Sequence, residues 1–301
     1  MSIQYRILKP LARAANLRQK FTGTREEFLA KAEKDNQKAS FALPDDNLFR
    51  YEMRSISGRE CMVMLHGSRE GTDALLVIYG GGFIKEPTPI QIHVGQELGG
   101  QTGRDVWIPH YPLCTHGSAV DSYRMVLDTY GEMLKHYRPE HIKITGFSSG
   151  GAIGLGMFLL NNEREAPLPI PAMMVLVSPG TCPASEKTME KMRELDKKDI
   201  MLPMSFMTTM AEVMRNGNAD MPDYLIHLGT GNFSGFPYTA FFYGGDELLS
   251  AVAEEFEEGF RRAGTPYEMH IEPGMFHCYQ SLYKFLPESR KGFEQIVQLL
   301  K

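Results

Sequence analysis

Short, continuously apolar runs alternate with segments of helical periodicity along most of this chain. The apolar runs are ALLVIY (74–79), DVWIPHY (105–111), HIKITGF (141–147), AMMVLVSP (172–179), AFFYGGD (240–246) and YEMHIEPG (267–274). Helical patterns follow at 93–103, 118–136, 150–161, 247–263 and 288–300. Because strands that alternate with helices indicate parallel β-α-β units, and apolar strands indicate a sheet covered on both faces, the pattern predicts an α/β fold.

Three stretches fall outside this alternation. RYEMRSI and CMVMLHG flank residues 57–60, which predicts an antiparallel hairpin ahead of the parallel units. Residues 1–45 are polar and helix-prone. Residues 181–235 interrupt the alternation and hold eight of the 19 methionines.

The methionines of the 181–235 segment follow a helical spacing at 204, 207, 210 and 214. This spacing predicts the buried face of an inserted helix. A second interpretation is an adaptable wall over a ligand, because the flexible thioether chain fits varied shapes. The two interpretations are compatible, and Met207 and Met210 are therefore candidate substrate contacts.

Composition narrows the class of protein. The chain has 301 residues, 43% of them apolar, and a net charge of −5, which disfavours nucleic acid as a partner. We find no apolar stretch long enough to span a membrane and no secretory signal at the N-terminus, so we expect a cytoplasmic protein. The four cysteines are too far apart for a zinc knuckle or a CxxC motif, and we expect reduced thiols.

No motif in the sequence calls for a cofactor. HExxH, the P-loop and GxGxxG are all missing from the sequence. The sequence therefore predicts neither a metal nor an organic cofactor. It leaves the oligomeric state open, with a homodimer as one alternative.

The first candidate for chemistry is the stretch Gly146-Phe147-Ser148-Ser149-Gly150. It has the form G-x-S-x-G, and it follows a predicted strand and precedes a predicted helix, which is the context of a nucleophile elbow. Small residues two positions before and after let the strand and helix pass close together, so the hydroxyl of Ser148 stands clear. The backbone N–H of Ser149 would then face a developing oxyanion.

A nucleophilic serine needs a base and an acid that orients the base. His277, in EPGMFHCY, follows the last predicted strand, and it is our candidate base. Asp246, in FFYGGDELL, comes directly after the preceding strand, and it is our candidate acid, with Glu247 as the alternative. Gly80, Gly81 and Gly82 follow the first long apolar strand, and glycine allows backbone N–H groups to turn toward a ligand.

Five motifs in order resemble the hormone-sensitive-lipase-like branch of the α/β-hydrolases over roughly residues 70–300. They are YGGGF, HYPLCT, GFSSGG, GGDELL and PGMFHCY. The resemblance implies an α/β-hydrolase fold with Ser148 as nucleophile, Asp246 as acid and His277 as base. It also implies an oxyanion hole formed by the N–H groups of Gly81, Gly82 and Ser149.

The resemblance also implies a domain plan and a reaction. Residues 46–180 and 236–301 would form the hydrolase core, 181–235 a cap insertion, and 1–45 an N-terminal helical part of that cap. The expected reaction is hydrolysis of esters with small or medium acyl groups through an acyl-enzyme. Two alternatives stay open: amide or arylformamide cleavage at the same site, and a member of the fold that only binds a small ligand.

The chain departs from the family pattern around the oxyanion loop. Tyr79 stands where the family has histidine and Phe147 where it has aspartate, while Pro112 and Cys114 change the segment after the second strand of the core.

Overall fold

One eight-stranded sheet forms the centre of the molecule. The structure, a computed structural model, describes residues 1–67 and 70–301. The strands are β1 Arg50–Ile56, β2 Arg59–Leu65, β3 Ala74–Ile78, β4 Asp105–Pro109, β5 Ile142–Phe147, β6 Met173–Val177, β7 Thr239–Gly244 and β8 Tyr267–Glu272. Their order in the sheet is β1-β2-β4-β3-β5-β6-β7-β8.

The pairing is antiparallel at one end of the sheet and parallel elsewhere. Strands β1 and β2 form the predicted hairpin, and β2 also pairs antiparallel with β4. From β4 to β8 every pairing is parallel, so these strands all end at the same edge. This edge carries the loops after β3, β5, β7 and β8, in which every predicted catalytic group lies.

Helices cover the sheet on both faces. The helices are α1 Ile3–Ala14, α2 Arg25–Asn36, α3 Pro89–Thr102, α4 Ala119–Met133, α5 Ser149–Asn162, α6 Glu186–Asp196, α7 Met204–Arg215, α8 Ala253–Ala263 and α9 Pro287–Leu300. Short 3₁₀ helices occupy Leu17–Phe21, Pro139–His141, Asp223–Leu225, Leu228–Thr230, Leu248–Val252 and Tyr279–Leu282. Helix α5 is apolar nearly all round and is buried over most of its length, as a helix in a covered core should be.

The predicted alternation of strands and helices is confirmed, with two differences at helix boundaries. Helix α3 begins at Pro89, earlier than its apolar pattern, because Thr88 and Gln91 form a capping box and proline is favoured in the first turn. The helix predicted over 247–263 begins as a 3₁₀ segment, and the α-helix itself starts at Ala253.

The two segments outside the alternation are largely helical. Residues 1–45 contain α1, a 3₁₀ turn and α2, while 181–235 contain α6, α7 and two 3₁₀ turns. Met207, Met210 and Met214 are buried on α7, as the spacing predicts. In the part of the chain that the structure describes, none of the helices has both the length and the apolar character that crossing a membrane requires.

Candidate active site

Ser148 occupies a strained turn between β5 and α5. Its backbone has φ 54° and ψ −121°, a conformation that non-glycine residues rarely adopt. The chain passes so closely here that a Cβ on Gly146 would lie 2.4 Å from the carbonyl oxygen of Gly150, and one on Gly150 would lie 2.1 Å from that of Ile78. Only glycine fits at these two positions of the G-x-S-x-G pattern, because a Cβ would clash with the neighbouring backbone. The turn holds the Ser148 hydroxyl at the carboxyl edge of the sheet.

His277 lies between Ser148 and a carboxylate. Its Nε2 is 2.9 Å from the Ser148 Oγ, and its Nδ1 is 2.7 Å from Oε2 of Glu247. The second carboxylate oxygen of Glu247 accepts hydrogen bonds of 2.9 Å from the Ser178 hydroxyl and from the Gly244 N–H. Glu247 is fully buried and held by three donors, so its orientation toward the imidazole is fixed.

The prediction that Asp246 contacts His277 is wrong. Its carboxylate turns away from the site and pairs with Lys9 of α1, with Nζ 2.6 Å from Oδ2. Strand β7 ends at Gly244, and the chain then turns, with the Glu247 N–H bonded to the Gly244 carbonyl at 3.2 Å and the Asp246 N–H bonded to the Met275 carbonyl at 2.9 Å. The position that faces His277 therefore falls to Glu247, the alternative that the sequence had left open.

Burial and neighbouring groups shift the pKa values of His277 and Glu247. Burial disfavours the imidazolium form of His277, but the adjacent Cys278 sulfur and the Glu247 carboxylate outweigh it. The pKa of His277 is therefore raised well above its usual 6.5. Burial also raises the pKa of Glu247, against the lowering effect of its hydrogen bonds from His277, Ser178 and the Gly244 N–H.

The glycine loop after β3 lies against the nucleophile turn. A Cβ on Gly80 would come within 2.7 Å of the Phe147 carbonyl oxygen, so this close approach requires glycine. Gly81 and Gly82 both have positive φ and line the cavity above Ser148. Within the described ranges, the N–H groups of Gly81, Gly82 and Ser149 have no hydrogen-bond acceptor, which leaves them free for a ligand.

The departures from the family pattern create a different brace for this loop. The Tyr79 ring stacks on Tyr111 at 4.3 Å between centroids, and the Tyr111 hydroxyl donates to the Tyr79 carbonyl at 2.9 Å. The side-chain amide of Gln91 donates to the Gly80 carbonyl at 2.8 Å, and the Cys114 N–H donates to the Phe83 carbonyl at 2.7 Å. A stacked tyrosine pair therefore supports the glycine loop.

Two cavities open on Ser148. The smaller, about 30 Å³, is lined by Ser149 and by Met207 and Met210 of α7. The larger, about 380 Å³, is lined by the glycine loop, His277, Cys278 and Met201. Phe206 and Gly82 line both and stand between them, so the nucleophile faces a narrow apolar space on one side and a wide space on the other.

Asp199 is a buried carboxylate near the site that the sequence did not single out. It is 3% exposed, and Oδ2 accepts the N–H of Leu248 at 2.6 Å, next to Glu247. Its Oδ1 accepts the N–H groups of Met201 and Leu202 at 2.7 and 2.9 Å. Asp199 thus ties the acid loop to the segment that leads into α7. An acidic residue directly before the apolar run Ile200-Met201-Leu202 of the predicted insertion was the only available signal.

The site combines a serine at a strand-turn-helix junction, a histidine and a buried carboxylate at one edge of the sheet. This arrangement defines the active site of a hydrolase with an α/β fold. A family model described as alpha/beta hydrolase fold matches residues 75–281. This match covers more than half of the chain, so the chain belongs to the α/β-hydrolase fold family, as its motifs predicted.

Individual relatives agree with this family. An acetyl-hydrolase of Streptomyces hygroscopicus is 29% identical over 237 residues, which is 75% of each chain. The esterase LipU of Mycobacterium tuberculosis is 25% identical over 237 residues, 76% of this chain and 77% of the relative. The crystal structure of an esterase from the bacterial hormone-sensitive lipase family superposes with a TM-score of 0.80 at 18% identity, over 100% of this chain and 98% of the other.

Proposed function

We propose that this protein is a carboxylesterase-type serine hydrolase that cleaves esters through an acyl-enzyme. The observation that carries the proposal is the line from Ser148 Oγ through His277 to Glu247, with contacts of 2.9 and 2.7 Å. It is the geometry in which an imidazole can take the serine proton while a carboxylate holds its tautomer. The names of the acetyl-hydrolase and esterase relatives support the same reaction class.

Each residue has a defined role in this reaction, and His277 alternates between base and acid. Ser148 Oγ attacks the ester carbonyl while His277 Nε2 accepts its proton, and the oxyanion receives the N–H groups of Gly81, Gly82 and Ser149. The imidazolium then protonates the leaving alcohol as the C–O bond breaks. Water, deprotonated by His277, attacks the acyl-enzyme, and the acid leaves as Ser148 regains its proton.

The two cavities suggest how an ester would bind. The leaving alcohol has to receive its proton from His277, so we assign the alcohol part to the larger cavity, which His277 lines. The acyl group then enters the smaller cavity of about 30 Å³ between Ser149 and α7. A space of this size holds only one or two water-sized groups, which favours acetyl and similarly short acyl chains.

Residues 181–235, together with 1–45, are proposed as the cap over this site. Phe206 and Met207 of the insertion line the cavities at Ser148, and Phe21 of the N-terminal segment lines the larger one. Phe21 and Phe28 both pack edge-on against Phe206, and these contacts join the two segments. A cytoplasmic location, a homodimer and membership of the hormone-sensitive-lipase-like branch remain predictions.

Replacement of Ser148 tests the proposal. We expect Ser148→Ala to lower kcat by about a millionfold and to abolish labelling by a fluorophosphonate, since the nucleophile is lost. Ser149→Ala is the matched control in the same turn: it keeps the backbone N–H and removes a buried hydroxyl with no partner in the described residues. It should retain activity within about tenfold.

A substrate panel separates ester from amide chemistry. We expect 4-nitrophenyl acetate to be cleaved faster than its butyrate and octanoate analogues, and acetanilide or an arylformamide to be a poorer substrate. Faster cleavage of the amides would replace the esterase by the amidase alternative. If wild-type protein is neither labelled nor active on any member of the panel, the proposal fails and a ligand-binding role is left.

A further inference from the structure

Helix α1 exposes an apolar stripe on its outer face. Ile3, Ile7 and Leu11 are 73%, 59% and 61% exposed and follow one another every four residues. The opposite face is the docked one: Tyr5 is fully buried, and Leu8 packs on the same apolar cluster. The helix therefore packs one apolar face against the protein and exposes a second apolar face to solvent. Packing among the described residues does not account for this second face.

The charge of this end of the chain is opposite to that of the rest. Residues 1–25 contain six basic and no acidic residues, whereas 26–301 contain 26 basic and 37 acidic ones. At 3.6 residues per turn, Arg6 and Arg13 fall along one side of the outer stripe, and both are exposed. In the described part of the chain, neither Arg6 nor Arg13 forms an ion pair, whereas Lys9 forms one with Asp246.

We propose that α1 docks this protein on an anionic lipid surface. An apolar stripe flanked by basic side chains is the pattern of helices that lie in the membrane interface, with the apolar face among the acyl chains and the cations at the headgroups. A second copy of this chain fits less well, because an antiparallel two-fold contact through α1 would place the arginines of both copies on the same side of the contact. A lipid surface would contact the apolar stripe with its acyl chains and the basic side chains with its anionic headgroups.

Docking through α1 would bring the lipid surface close to the candidate active site. Tyr5 donates its hydroxyl to the Gly274 carbonyl at 2.8 Å and stacks on Phe276, the residue before His277. Met201 packs on the same cluster and lines the larger cavity. This step rests on the proposed esterase function: it implies substrates that partition into the membrane and enter with their alcohol part in the larger cavity.

Co-sedimentation with vesicles tests the docking without using turnover. We expect the wild-type protein to bind vesicles of equimolar phosphatidylcholine and phosphatidylglycerol and to bind pure phosphatidylcholine much more weakly. Ile7→Asp and Leu11→Asp should each weaken binding more than about tenfold, since a charge replaces an inserted apolar side chain. Arg6→Gln and Arg13→Gln should each weaken it about fivefold at low salt.

The matched control is Ile170→Asp, an exposed isoleucine in the loop before β6, at the other edge of the sheet. It should bind vesicles like the wild type, and all five variants should keep wild-type kcat/KM on a water-soluble acetate ester. Absence of vesicle binding by the wild type, or equal loss in Ile170→Asp, would overturn the docking. A dimer that Leu11→Asp dissociates in the absence of lipid would point to a second copy as the occupant. A protein that binds vesicles but cleaves no ester would refute only the esterase function.

Discussion

At the scale of single residues, the site depends on which of two adjacent carboxylates faces His277. Asp246 and Glu247 are consecutive, yet one pairs with Lys9 and the other contacts the imidazole. The two side chains therefore have different tasks: Glu247 orients the base, and Asp246 attaches α1 to the core.

Substitution of each carboxylate separates these tasks. We expect Glu247→Gln to lower kcat about ten-thousandfold, because an amide cannot hold the required tautomer of His277 or stabilise its cation. Asp246→Asn should leave kcat within about tenfold, since it removes only a partly exposed ion pair. Steady-state kinetics on an acetate ester measure both. Near-normal turnover by Glu247→Gln would return the acid role to Asp246.

The environment of His277 also sets the pH dependence. The base works only when neutral, and its pKa is raised well above 6.5, chiefly through Cys278 and Glu247 acting against burial. The midpoint of the rising limb of kcat/KM should therefore lie above pH 6.5, with activity lost as the pH falls through it. Glu247→Gln should move this midpoint to lower pH, because the cation loses its counter-charge.

Profiles measured on a neutral ester check this shift. Cys278→Ala should move the midpoint in the same direction and keep far more of the plateau rate than Glu247→Gln does. A midpoint that stays in place in both variants would contradict the assigned cause. EDTA should leave the plateau unchanged, since no step of the proposed reaction uses a metal.

At the scale of elements, α7 forms one wall of the smaller cavity. Met207 and Met210 line the cavity, and Asp199 ties the segment before α7 to the residue after Glu247. The wall and the acid loop are therefore linked through the Asp199 carboxylate, which accepts backbone N–H groups from both. A change in α7 acts on substrate size close to the catalytic groups.

Truncation of the wall should change acyl-chain preference. We expect Met207→Ala and Met210→Ala to raise kcat/KM for butyrate and hexanoate esters relative to acetate by about tenfold or more, because the added space accepts further methylenes. Met192→Ala is the matched control, since Met192 is buried on α6 and does not line the cavity. It should lower stability by a similar amount, about 2–5 kcal/mol, without changing the preference. An equal change of preference in Met192→Ala would refute this role of the wall.

At the scale of the whole molecule, most of the fold followed from the sequence and part of the site did not. Apolar runs and helical spacing predicted the order of the parallel strands along the chain, and G-x-S-x-G placed Ser148 at a strand-helix turn. These signals are local, and each depends on residues close together in sequence.

The acid and the supports of the site depend on contacts between distant segments. The choice of Glu247 over Asp246 depends on how the turn after β7 contacts distant segments: the Asp246 carboxylate pairs with Lys9 of α1, and its N–H bonds to the Met275 carbonyl. The position of Asp199 depends on how the insertion folds back on β7, and the brace at Tyr79 depends on Tyr111, 32 residues away. The spacing of residues along the sequence does not predict such contacts between distant segments.

The backbone strain at Ser148 also limits how the sequence can evolve. A non-glycine residue at φ 54° and ψ −121° costs roughly 1–3 kcal/mol, a sizeable part of the margin that keeps a domain folded. A protein that keeps serine at position 148 therefore tolerates fewer destabilising substitutions at its other positions. A duplicate gene released from selection for hydrolysis could accept glycine at position 148, relieve the strain and drift further in sequence while keeping the same fold.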